Sequence, residues 1–197
     1  RWLHLAFVFV ISVILHVNTL RGTFVWDDRP AVLDNPDVRT DAPWRDMWRH
    51  DFWGQEMGDP ESHKSYRPLT TLTYRLDNLL EGAGISMPLL GQDFACTGGS
   101  VSDGEDDTDT QALATASGPD QHCAFRYHMT NVLIHAATCV EVLLLFRVVF
   151  VGQELPALIS SLMFTSHPVH VEAVAPLVGR ADLLCGFLSV LALLLAF

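Results

Sequence analysis

Residues 2–20 (WLHLAFVFVISVILHVNTL) carry no formal charge and lie between Arg1 and Arg21. Their number is close to the ~20 apolar residues a helix needs to cross the hydrocarbon of a bilayer. A secretory signal peptide would have a shorter apolar core and a small-residue cleavage site, and the RGTFVWDD that follows is no such site. Further apolar stretches run over 128–151, over 155–175 with a break at Pro168, and over 181–197. The charge lies between them. Residues 22–127 hold 19 of the 23 acids and 8 of the 12 bases, and thus the entire net charge of -11; elsewhere acids and bases cancel. A chain divided in this way is not a basic nucleic-acid binder, a collagen or coiled coil, or a wholly disordered acidic tail. It reads as an α-helical polytopic membrane protein with one large acidic loop. Because it starts without Met and stops inside an apolar run, it also reads as a fragment of a longer protein.

The expected division is a first crossing at 2–20, a first loop at 21–127, crossings at 128–151 and 155–166, a second loop at 167–180, and a truncated fourth crossing at 181–197. With that parity both polar loops lie on one side and can build one site. A long acidic loop translocates without penalty, which places both in a lumen or outside. Within the first loop, 82–122 has seven acids, no Lys or Arg, and many small polar residues. Such a tract buries too little apolar surface to offset its ordering entropy, so it reads as a disordered acidic insertion. Cys139 and Cys185 fall in crossings, whereas Cys96 and Cys123 are either a disulfide or two free thiols.

Residues 22–81 are aromatic and regularly spaced. Asp41 is placed to cap a helix with Trp44, Met47, Trp48 and Phe52 on one face, suited to a membrane interface where Trp is favoured. Pro68 opens a second helix with Leu69, Leu72, Leu76, Leu79 and Leu80 along one stripe. The residues with chemistry stand at the edges of the crossings. Asp27 and Asp28 follow the first, where adjacent carboxylates raise each other's pKa and one can act as a base; the plain alternative is an ordinary acidic loop element. His167, His170 and Glu172 lie within six residues, able to bind a divalent cation, to donate to a phosphate, or merely to cap a broken helix. His128, Asn131, His135 and Thr138 share a face of the second crossing and Glu141 is deep in it, facing either a cavity or other helices. Lys64, Tyr66, Arg67, Arg180 and Asp182 put further polar groups on the same side, where an anionic ligand would find donors.

FVWDDRPAVLDNPDV, HDFWG, SHKSYRPLTTLTYRLD, FRYHMTNVLIHA, MFTSHPVHVEAVA and VGRADLL, in that order, closely resemble the N-terminal membrane region of the transmembrane O-mannosyltransferases targeting cadherins. The resemblance covers nearly all of the chain outside 82–122. It implies an N-terminal fragment of a bundle like those of the membrane glycosyltransferases of the C superfamily, with a large lumenal first loop carrying interfacial helices, and with tetratricopeptide repeats further along the protein. It also implies an endoplasmic-reticulum enzyme that moves mannose from dolichyl-phosphate mannose, a polyprenyl-phosphate lipid, to Ser or Thr of cadherin or protocadherin-type domains. No tightly bound cofactor is implied, and a divalent cation is the open alternative at His167, His170 and Glu172. Asp27 is then the expected general base, with Asp28 orienting a substrate. Tyr66, Arg67, His167, His170, Glu172 and Arg180 are the expected contacts to donor phosphate and acceptor, in an inverting reaction. Two other functions fit the residues: a transporter using Glu141 and the His stripe, and a non-catalytic membrane scaffold whose repeats bind client proteins.

Overall fold

The structure, a computed structural model, describes residues 2–83 and 124–197. The acidic tract at 82–122, from position 84 onward, and the Cys96–Cys123 question lie outside these residues. The helices are α1 (Trp2–His16), α2 (Pro68–Gly82), α3 (Ala124–Val149), α4 (Glu154–Thr165), the single turn α5 (Val171–Val174) and α6 (Arg180–Ala196). Among the described residues there is no strand beyond one bridge between His50 and Glu56.

Three helical stretches are long and apolar enough to cross a membrane: Trp2–Arg21, Ala124–Val149 and Leu177–Ala196. The middle one starts four residues ahead of the expected crossing at 128–151. α4 has 12 residues, about 18 Å of helix, which falls short of the ~30 Å of hydrocarbon by itself. It stops at Thr165 because Pro168 disfavours helical backbone at His167, which is extended (φ −70°, ψ 125°). The chain then climbs through short turns to α6.

α3 is central and touches α1, α4 and α6. At one end of the bundle Arg147 pairs with Glu154 at 2.8 Å, and His4 Nδ1 stands 3.3 Å from the same carboxylate, so α1, α3 and α4 are tied together. Midway, Val8, Cys139, Leu143 and Ala157 form a tight core. There the Ser12 hydroxyl donates to the Cys139 sulfur and the Ser161 hydroxyl to the Cys139 carbonyl. Small residues at such a seam let helices approach closely enough for dispersion to hold them without a hydrophobic driving force. Leu20, Val132, Val174 and Leu183 form the next layer.

The first loop sits on the other end, over Ala31, Val32, Val38, Phe52, Tyr74, Tyr127 and Leu177. Ahead of α2 the loop is mostly turns, and buried polar side chains satisfy its backbone instead. The Asn35 amide donates to the Ala31 and Phe52 carbonyls while its oxygen accepts from the Asp37 amide. Asp51 accepts from the Trp53, Gln55 and His63 amides and from the Ser62 hydroxyl. Those donors hold the Asp51 carboxyl below the usual range in spite of its burial. Gly54 turns the chain at φ +80°, where a Cβ would also press on Pro36 and Asn35 at 2.6 and 2.7 Å.

One expectation about this loop needs correction. Residues 41–52 are not a helix capped by Asp41; they form turns with one tight turn at Asp46–Trp48. Asp41 pairs with Arg39, and the carbonyls of Thr40 and Ala42 accept from the Arg75 guanidinium instead of from helix amides. Met47 and Phe52 are buried, while Trp44 and Trp48 stay half exposed. α2 forms as expected, but its inward face is the polar one: Thr70, Thr71, Tyr74, Arg75, Asp77 and Asn78 are buried, and Leu69, Leu76 and Leu80 face outward. An outward leucine stripe on a helix at the end of a membrane bundle fits an interfacial position.

Gly179 closes the structure between α5 and α6. A Cβ there would run into the Ala173 carbonyl oxygen. Substituting Gly179→Ala is expected to cost about 1–3 kcal/mol by forcing apart backbone that cannot yield. The check is a lowered midpoint of thermal unfolding in detergent relative to Gly186→Ala, whose Cβ would meet open space.

Candidate active site

The chain leaves α1 through Val17–Arg21 and reverses at Val25–Asp28. The Asp28 amide donates to the Val25 carbonyl at 2.8 Å, and the Asp28 Oδ2 accepts the Val25 amide at 3.2 Å. Trp26 and Asp27 are therefore the tip of a tight turn, and both are exposed. Asp28 points the other way and is 1% exposed; its Oδ1 accepts the Val178 amide at 3.1 Å, 150 residues further along. In this geometry Asp27 points outward and Asp28 inward. Burial raises the Asp28 carboxyl above its ordinary 3.8, and the amides of Val25, Val178 and Leu177 only partly oppose it. Protons thus bind the folded form more tightly than the unfolded one. This group supports folding most below about pH 3.8, and its contribution falls as pH rises through the folded value.

Beneath that tether lies the densest polar network of the described residues. Arg180 has no exposed surface. Its guanidinium donates to Asp77 Oδ2 at 2.6 Å, Asn131 Oδ1 at 2.7 Å, the Tyr127 carbonyl at 2.8 Å and Thr73 Oγ1 at 3.3 Å. It also lies over the Tyr74 ring at 4.5 Å. Asp77 accepts in addition from Thr130 Oγ1, Tyr127 donates to Asn78, and Tyr74 donates to the Leu177 carbonyl at 2.7 Å. Asn131 donates to the Pro176 carbonyl at 3.0 Å. Arg180, expected as a phosphate contact, is thus occupied inside the protein, where it clamps α2, α3 and α6 at one point.

The remaining expected residues lie at the surface. Tyr66 is half exposed with its hydroxyl donating to the Trp48 carbonyl, and the exposed Arg67 has its guanidinium 5.1 Å from the Phe52 ring. His167 is exposed and accepts the Val169 amide on Nδ1. The half-buried His170 donates from Nε2 to the Phe164 carbonyl at 2.9 Å. Its ring lies, tilted, between Phe164 at 4.5 Å and His135 at 4.8 Å, and His135 in turn meets His16 edge-on at 4.7 Å. Burial lowers the His170 pKa, so this imidazole is a neutral donor near pH 7. Glu172 is exposed. Among the described residues no three His, Cys, Asp or Glu side chains converge in a way that could hold a metal ion.

The network residues Thr73, Tyr74, Asp77, Asn78, Tyr127 and Thr130 were not among the expected site residues. A signal was present: 74, 77 and 78 on one helix and 127, 130 and 131 on another repeat at i, i+3 and i+4, the spacing of a single polar face.

Protein O-mannosyl-transferase TMTC4 of Mus musculus is 33% identical over 98% of this chain and 22% of its own length. Protein O-mannosyl-transferase TMTC2 of Homo sapiens is 32% identical over 93% of the chain and 17% of its own length. Protein O-mannosyl-transferase TMTC1 of Mus musculus is 35% identical over 93% and 15%. The chain spans about a fifth or less of the length of these relatives. No protein-family model matches the chain, and no solved structure does. Near-complete alignment of both apolar and polar segments with several such proteins establishes that the chain belongs to the TMTC family, whose curated members are named protein O-mannosyl-transferases.

Proposed function

We propose that the protein transfers mannose from dolichyl-phosphate mannose to Ser or Thr hydroxyls of cadherin-type domains at the lumenal face of the endoplasmic reticulum, with Asp27 as the base. The observation that carries this reading is the turn 25–28, which leaves one carboxylate outward beside a membrane-crossing helix while the other fixes it to the segment before α6. The acceptor oxygen attacks C1 of the sugar, its proton passes to Asp27, and the bond from C1 to the phosphate oxygen breaks, releasing dolichyl phosphate. One base opposite one leaving group inverts the anomeric centre without a covalent intermediate.

A phosphate diester turning into a stable monoester needs donors rather than a general acid. Arg67 and His167 are exposed enough to supply them, whereas the one hydroxyl proton of Tyr66 goes to the Trp48 carbonyl, and His170 holds the broken-helix segment in place. Arg180 and Asp77 keep the loop seated. Indifference of transfer to EDTA would support direct contact of the histidines with phosphate. Loss of activity on chelation, restored by a divalent cation, would return the metal reading to His167, His170 and Glu172.

The test is mass-spectrometric detection of hexose on a cadherin-type domain co-expressed with the full-length protein carrying this chain. Hexose on Ser or Thr that depends on Asp27 supports the proposal. An unmodified domain would favour a scaffold whose repeats bind clients.

A further inference from the structure

We propose that Trp26 is the acceptor platform of this site, holding the polypeptide segment that flanks the Ser or Thr to be modified. This rests on the reading of Asp27 as the base. Trp26 is 92% exposed, the most exposed large apolar side chain among the described residues. Its backbone sits at φ +36°, a region that a bulky L-residue enters only at a cost and that concentrates at functional sites. Glycine or asparagine would meet that turn without strain, so the turn alone does not call for an indole.

The conformation is held from below. Asp28 grips the Val25 amide on one side and the Val178 amide on the other, and the Trp26 carbonyl accepts the Arg29 amide at 3.2 Å. The indole and the Asp27 carboxylate are therefore consecutive side chains at the tip of one pinned turn. A hydroxyl that reaches Asp27 brings its neighbours in the acceptor chain over the indole. Tryptophan is the side chain most suited to such a contact, giving a large rigid apolar face at small entropic cost. An extended Ser/Thr-bearing segment with an aliphatic residue next to the hydroxyl is the acceptor chemistry that fits.

The experiment compares wild type with Trp26→Gly, Trp26→Phe and Asp27→Asn in detergent-permeabilised microsomes containing the full-length protein. It varies a purified cadherin-type domain at saturating dolichyl-phosphate mannose, and then varies the donor. Trp26→Gly removes the indole and relieves the backbone, so it keeps the fold. It is expected to raise the KM for the acceptor about tenfold, as loss of an aromatic anchor does, with kcat and the donor KM little changed, and Trp26→Phe is expected to recover most of the loss. An unchanged acceptor KM, a change confined to the donor KM, or loss of membrane retention in Trp26→Gly would overturn the proposal; the last would make Trp26 a bilayer anchor. Normal transfer by Asp27→Asn together with a raised acceptor KM in Trp26→Gly removes the base and keeps the platform. An inactive Asp27→Asn beside an unaffected Trp26→Gly does the reverse.

Discussion

Arg180→Ala is expected to cost about 3–5 kcal/mol and to release the first loop from the bundle, because it leaves Asp77 as an uncompensated buried charge. Asp77 is 4% exposed and its Oδ2 loses a 2.6 Å partner. Asn131 Oδ1, the Tyr127 carbonyl and Thr73 Oγ1 lose the same donor. The readout is the midpoint of thermal unfolding of the full-length protein in detergent, together with new proteolytic sites between residues 22 and 81. Adding Asp77→Asn should restore part of the loss, since much of the penalty is the stranded carboxylate; a double variant less stable than Arg180→Ala alone would contradict the clamp. Weaker donor binding with unchanged stability would instead give Arg180 back its expected role at the phosphate.

How far the sequence led depends on what kind of pattern each element has. α1, α3 and α6 were legible because a predominantly apolar run of membrane length has few other solutions. α2 was legible from Pro68 and the leucine spacing, but its orientation was not: the same stripe can face a core or a membrane, and only the contacts of Tyr74, Asp77 and Asn78 decide. The 41–52 segment misled because Trp44, Met47, Trp48 and Phe52 keep helical spacing. Arg75 takes the local carbonyls and Ser65 the Phe52 amide, and both contacts are remote in sequence. For the site, adjacency alone did not give the outward and inward acids, because alternation belongs to extended backbone and here a tight turn at 25–28 separates them. Nor did it give the partner of Asp28, because nothing within the motif points to an amide 150 residues away. Arg180 was misplaced for a related reason: a conspicuous cation near a membrane surface and a buried clamp have the same sequence.

Asp27→Asn is expected to lower the transfer rate by about 10²–10⁴, the usual contribution of a positioned base, with no loss of stability. An exposed carboxylate at a turn tip supports no core contact, and asparagine tolerates the turn. Asp28→Asn should behave differently although it alters the neighbouring acid. Both Asp28 oxygens accept backbone amides, from Val25 and from Val178. An asparagine offers only one oxygen and turns its NH₂ towards the other donor, so the tether loosens, and stability and rate fall together. The two variants therefore separate chemistry from support: a rate loss at constant unfolding midpoint for position 27, and a coupled loss for position 28. Near-normal hexose transfer by Asp27→Asn would remove the base from that residue. A coupled loss at 27, or a pure rate loss at 28, would mean that the acid facing the acceptor is the one now placed inward.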